Sequence, residues 1–192
     1  MENTIVFIDA GYLSVLSKYF GEGKRLKLNI ERFAKYLASK KGLQCEHIFY
    51  YTAPPFQSNA PTEDEARFKA GYDSFVSKLK RCDKLTLREG RVQKIGNSFN
   101  QKGVDTLLTL DLYEQASIKK YSNLILVACD TDFVPVLNRI RGLFGVKIIL
   151  FYFTDRKRGS SFSLSNHILT AVDEHVLLAK QDLTSNLLET KK

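Results

Sequence analysis

The sequence contains no run of 18 apolar residues, so nothing in it is suited to span a membrane as a helix. It also lacks a basic leader joined to a long apolar core. The first apolar run begins by the fifth residue and stops at Asp9, which predicts a first strand rather than a secretory signal. Cysteine is scarce. Cys45, Cys82 and Cys129 are odd in number and widely spaced, fitting neither a zinc pattern nor a disulfide framework, and they predict reduced thiols in a cytoplasmic protein. Neither G-x-x-x-x-G-K-[ST] nor G-x-G-x-x-G occurs, which argues against a nucleotide-binding fold. Histidine is scarce too: His47, His167 and His175 stand far from every acidic motif and read as surface or packing residues. There is no internal repeat and no low-complexity segment.

At 192 residues, 44% apolar and 26% charged, the remaining composition suits one globular domain with a real core. The boundaries are read as a domain over 1–180 and a tail over 181–192, where the composition turns polar. Thr4-Ile5-Val6-Phe7-Ile8 reads as a strand buried on both faces. A helix follows through about Phe20, and another runs from an Asn29 N-cap. The second strand covers 46–51. After a proline-bearing loop, Thr62-x-x-Glu65 has the form of a capping box opening a third helix. Leu85-Thr86-Leu87 alternates like a third strand, which could return over 91–95 as a hairpin through Glu89-Gly90, with polar loop from 96 to 103. A helix over 104–119, a central strand at 124–128 and a helix from Phe133 to Arg141 follow. Then come a strand over 146–153, a short helix near 164–170 and an apolar stretch to Leu178. Strand alternating with helix predicts an α/β fold with a mostly parallel sheet.

In such sheets ligands bind beyond the carboxyl ends of the strands. Asp9 ends the first strand, and Asp130-Thr131-Asp132 ends the central one. The ordinary alternative is that Asp130 is a turn residue and Asp132 an N-cap. Asp105 lies in the first turn of the helix before the central strand, so its end of that helix could face the same edge or the opposite one. Asp111 falls inside that helix's apolar stripe, and a carboxylate there needs donors or a cation.

Net charge is +8, and residues 67–102 hold ten Lys/Arg against three acids, a surplus of seven in one contiguous segment. Such a surplus is either a solvated face or a track for a polyanion. Lys80, Arg81 and Lys84, with Arg156, Lys157 and Arg158 in a loop after a later strand, are the candidate phosphate contacts. Tyr51, Phe56 and Tyr152 could stack unpaired bases or belong to the core.

Phe7-Ile8-Asp9, Lys102-Gly103-Val104-Asp105 with Leu108 and Asp111, and Asp130-Thr131-Asp132-Phe133-Val134-Pro135 together resemble the NYN domain family, the PIN-like proteins related to LabA and formerly called DUF88. The likeness extends to Gly145-Val146-Lys147 and to the segment from Leu164 to Asp173, so it covers nearly the whole chain in order. Two departures stand out. Many family members carry Asn two or three positions after the first Asp, where this chain has Gly11 and Tyr12, and Cys129 replaces the usual Gly before D-x-D. The resemblance implies a three-layer α/β/α sandwich around a five-stranded sheet in the order 3-2-1-4-5. It implies an endoribonuclease that hydrolyses RNA phosphodiester bonds, with Asp9, Asp105, Asp130 and Asp132 as both catalytic residues and ligands for Mg²⁺ or Mn²⁺. Asp111, Thr131 and Tyr12 are the candidates to support those ligands. The partner implied is RNA, single-stranded by expectation, with no membrane partner and a homo-oligomer left open.

The chemistry suits the residue types. Hard divalent cations take oxygen ligands and keep room for water and phosphate oxygens, so no His, Cys or Ser is needed as base or nucleophile. A haloacid-dehalogenase-like phosphatase would place D-x-D after the first strand, where this chain offers one Asp. The main rival is a catalytically weak or inactive RNA-binding module on the same fold.

Overall fold

The computed structural model describes residues 1–96, 98–155, 162 and 166–189. In chain order the sheet strands and their helices begin with β1 (Glu2–Asp9), α1 (Ala10–Phe20), α2 (Ile30–Ser39), β2 (Leu43–Thr52), α3 (Glu63–Leu79) and β3 (Leu85–Glu89). A hairpin of β4 (Arg91–Ile95) and β5 (Ser98–Lys102) follows. The second half comprises α4 (Val104–Ile118), β6 (Asn123–Val127), a 3-10 turn (Thr131–Phe133), α5 (Val134–Phe144), β7 (Lys147–Tyr152), α6 (Asn166–Ala171), β8 (Glu174–Leu177) and α7 (Lys180–Thr184).

The strands order as β3-β2-β1-β6-β7-β8, and every neighbouring pair is parallel. The class and the order 3-2-1-4-5 hold as expected, but the sheet has six strands rather than five. The extra one is β8, which pairs with β7 from Ile149↔Glu174 to Tyr152↔Leu177. Its four residues are mostly exposed, so no apolar run announces it, and its state is set by ladder hydrogen bonds to β7.

The central strands are apolar without alternation because both faces are covered. Val6 and Ile8 face a core with α1 and α2, where Leu16, Phe33 and Leu37 are fully buried. Ile5 and Phe7 face the other core, where Leu108 and Leu112 of α4 and Leu137 and Ile140 of α5 are fully buried. The Thr62–Glu65 capping box forms as its spacing predicts. Among the described residues no helix is long and apolar enough to cross a membrane.

Two expectations change in the middle and at the end of the chain. Residues 91–95 do not return on β3. They pair antiparallel with 98–102, which the sequence suggested was loop, in register from Arg91↔Lys102 to Ile95↔Ser98. Gly90 makes the crossing, since a Cβ there would sit 2.6 Å from the Lys102 carbonyl oxygen. In the segment 181–192, read as a tail from its composition, 190–192 lie outside the described residues, while Leu183 is fully buried and Asp182 accepts from Tyr36 Oη at 2.8 Å and Lys40 Nζ at 2.7 Å.

Candidate functional site

The chain changes direction between β1 and β6, which lie side by side with Ile8 opposite Val127. Asp9 therefore sits level with Ala128, and Asp130 follows two residues later, at the mouth of the crevice that such a reversal opens. Asp9 is also the N-cap of α1: its Oδ1 accepts from Gly11 N–H at 2.8 Å and Tyr12 N–H at 3.3 Å. A Cβ on Gly11 would lie 3.1 Å from that oxygen, so a side chain there would crowd the carboxylate. Asp130 caps the 3-10 turn, with Oδ1 accepting from Asp132 N–H at 2.9 Å. The turn role of Asp130 is thus real. The N-cap role of Asp132 is not, because Phe133 precedes α5 and no side chain caps it. Asp132 and Thr131 are exposed within the turn. Gly103, at φ +82°, starts α4, and Asp105 occupies its first turn.

The charges of these aspartates act on one another. Burial pushes the Asp9 carboxyl up to about 6; its two backbone hydrogen bonds oppose this, and the charges on Asp105 and Asp130 add to it. Asp105 is raised as well, by partial loss of hydration and by the charges on Asp130 and Asp132. A Cβ on Gly90, the residue just past β3, would lie 3.1 Å from the Val104 nitrogen, so the end of α4 that carries Asp105 lies at the carboxyl edge of the sheet, which sequence left open. Among the described residues none of the four carboxylates has a Lys or Arg within ion-pair distance.

By donor chemistry the set fits a hard divalent cation: oxygen ligands only, with negative charge left uncompensated. Among the described residues no three acidic, imidazole or thiol side chains close on a common point. Gripping an ion would therefore require rotation of exposed side chains, for which Asp105 and Asp132 are placed.

The other candidates separate into groups. Asp111 is buried on the core side of α4, where it accepts from Tyr51 Oη at 3.0 Å and from Arg88 Nε and Nη2 at 2.8 and 2.9 Å. It ties α4 to β2 and β3, and its required cation is Arg88, one of the ten bases counted toward a polyanion track. The Tyr12 hydroxyl accepts from Phe153 N–H at 2.6 Å, joining the first turn of α1 to the chain just after β7. Burial, with the Asp9 charge, raises the Tyr12 phenol and keeps it neutral. Tyr51 and Tyr152 are core residues, not platforms for bases.

Lys80, Arg81 and Lys84 precede β3, whereas the aspartates follow strand ends. Five residues separate Lys84 from Glu89 at the carboxyl edge, roughly 16 Å of strand. That triplet lies toward the amino end of the sheet, away from the carboxylates. Arg156, Lys157 and Arg158 lie outside the described residues.

Sequence reasoning missed the hairpin, which brings Gln101 to the site: its Oε1 lies 3.7 Å from where a Gly11 Cβ would stand. The available signal was Gly96-Asn97, a two-residue hairpin turn pair, with Gly96 at φ +59°.

Comparison with known proteins follows this geometry. The family model described as NYN domain matches residues 3–174. No curated protein matches the chain. Among solved structures, the chain is similar to the crystal structure of a protein of unknown function from Vibrio parahaemolyticus. The TM-score is 0.63 at 18% identity, covering 97% of this chain and 96% of that one, a likeness of fold.

Proposed function

The chain belongs to the NYN domain family, a family of PIN-like nucleases, and we propose that it is a divalent-metal-dependent endoribonuclease acting on single-stranded RNA. The observation that carries this reading is the mutual charge of Asp9, Asp105, Asp130 and Asp132 at the switch-point crevice, with no cation of the chain against them among the described residues. Asp9 and Asp130 are held by backbone N–H groups and would form the fixed part of a binding site. Asp105 and Asp132 are exposed and would close on an ion with the phosphate. Mg²⁺ or Mn²⁺ bound there would supply an acidified water and offset charge on the leaving oxygen. The four aspartates would hold the ion through oxygen alone, and no side chain would need to act as a covalent nucleophile.

The second reading, an RNA-binding module without turnover, is favoured by one observation: among the described residues no three acidic side chains share a point. A single assay separates the two. Labelled single-stranded RNA should be cleaved in Mn²⁺, spared in EDTA, and cleaved at least about a hundredfold more slowly by Asp130→Asn, the loss expected when a metal's several kcal/mol of charge stabilisation goes. Binding without any cleavage in Mn²⁺ would leave the module reading standing alone.

A further inference from the structure

The outer part of the β4–β5 hairpin is what neither the core nor the carboxylate cluster accounts for. Directly opposed residues of an antiparallel pair share a face, so the register sorts its side chains. Val92, Lys94, Phe99 and Gln101 share one face; Arg91, Gln93, Ile95, Ser98, Asn100 and Lys102 share the other. On the first face Val92 packs against the core beneath α4. Gln101, opposite it, reaches the space beside Gly11 and Asp9. The next pair outward is Lys94 and Phe99. The Phe99 ring lies 5.3 Å from that of Phe56, and Lys94 Nζ stands 5.7 Å from both ring centres.

These outer residues contribute little to folding. Phe99 remains 57% exposed and Ile95 55%, even with their neighbours in place. A lone two-stranded hairpin is marginal in water, and exposed aromatics near its tip do not improve it. Residues 91–102 hold three cations, Arg91, Lys94 and Lys102, and no acid, beside a crevice that is itself acidic. Among the described residues none of the three forms an ion pair. The rest of the hairpin is rich in amides: Gln93, Asn100 and Gln101. An open aromatic face, adjacent cations and amide donors are what a polynucleotide with unpaired bases requires. A protein partner would instead favour an interface core depleted of Lys.

We propose that the β4–β5 hairpin is a strand-holding arm, on which an unpaired base of the substrate stacks against Phe99 while Lys94, on the same face, takes its phosphate and Gln101 marks the step into the crevice. Phe99 and Gln101 are two residues apart on one face, about 7 Å, a spacing comparable with the repeat of an extended polynucleotide backbone. A base held on the ring thus sets an adjoining phosphate over the aspartates. The interior of a duplex does not fit this arrangement, because its paired and stacked bases have no free face to offer. The proposal rests on the nuclease reading for the substrate's identity as RNA, and its test is separable from that reading.

The test measures fluorescence anisotropy of full-length protein with a labelled mixed-sequence single-stranded RNA, and with the blunt duplex of the same strand, both in EDTA. Phe99→Ala should weaken single-strand binding about tenfold, the scale of one lost base stack, while Phe99→Trp retains it and duplex binding does not move. In Mn²⁺ the Phe99→Ala loss should fall on KM rather than on kcat. Equal affinity of parent and Phe99→Ala for the single strand overturns the arm, as does an equal loss on the duplex. If the arm instead joins two copies of the chain, sedimentation will show a dimer that Phe99→Ala disperses with RNA affinity unchanged, and the proposal falls. Cleavage by the parent with no effect of Phe99 refutes the arm and leaves the nuclease. Phe99-dependent binding with no cleavage refutes the nuclease and leaves the arm.

Discussion

Asp9 and Asp111 are two shielded carboxylates in one domain, and the chain treats them in opposite ways. Asp111 is gripped by a guanidinium through two hydrogen bonds and by a phenol through a third. Asp9 receives two backbone N–H groups and the repulsion of two other aspartates. Burial is a shared cost, so the difference lies in what offsets it. At Asp111 the offset is part of the chain, and the result is a joint between α4 and the sheet. At Asp9 the charge is left over, with no cation among the described residues to offset it.

The largest effect should come from breaking the joint. Arg88→Ala leaves Asp111 buried without its cation, and removing one partner of a buried pair typically costs about 3–5 kcal/mol. The Arg88 side chain is 40% exposed, so water reaches it, and about 2–3 kcal/mol is expected. Adding Asp111→Asn should recover part of that loss by removing the orphaned charge. Urea unfolding of the single and double variants checks both statements, and a more stable Arg88→Ala protein would contradict the pairing.

The opposite sign is expected at the crevice. A carboxyl raised in the folded state makes the native protein bind its proton more tightly than the unfolded chain does. The associated stability is present below the unfolded value near 4 and is lost as pH rises through about 6. Asn caps a helix about as well as Asp but carries no charge. Asp9→Asn should therefore stabilise the metal-free protein by roughly 2 kcal/mol at pH 7.5 and by little at pH 4. Unfolding curves in EDTA at the two pH values decide this; a variant less stable at pH 7.5 would show that the Asp9 charge is compensated after all.

How much of this contrast could be read in the sequence depended on where each signal lies. Asp9 and Asp130 stand at the ends of apolar runs buried on both faces, and such runs announce both the strands and the edge. Asp111 was visible as a carboxylate in an apolar stripe, but Arg88 lies 23 residues away on another element, and only the assembled sheet joins them. The hairpin lay hidden because its alternation is polar, leaving Gly96-Asn97 as the lone turn signal. Strand β8 and α7 are held by a few contacts, Val176 on one and Leu183 and Asp182 on the other, amid otherwise exposed residues. Periodicity cannot register elements fixed by a neighbour's hydrogen bonds rather than by their own buried face.

The smallest effect expected is none. Lys80, Arg81 and Lys84 follow α3, toward the amino end of the sheet. Replacing all three with Glu should leave single-strand RNA affinity within about twofold at physiological salt, where charges beyond roughly 8 Å are largely screened. A steep loss with a flattened salt slope would extend the RNA track around the whole molecule.

Strand order and the order of synthesis diverge in this fold, and the divergence bears on how the protein is made. The Thr4 side chain of β1 donates to the backbone of Asn123, 119 residues later. At about 5–20 residues per second of translation, β1 waits roughly 6–24 s for its second neighbour. Through that interval β1 is an open sheet edge rich in Ile, Val and Phe, the kind of surface that recruits other chains. The nascent chain would gain from shielding over this interval, and the crevice cannot exist until β6 has emerged and docked.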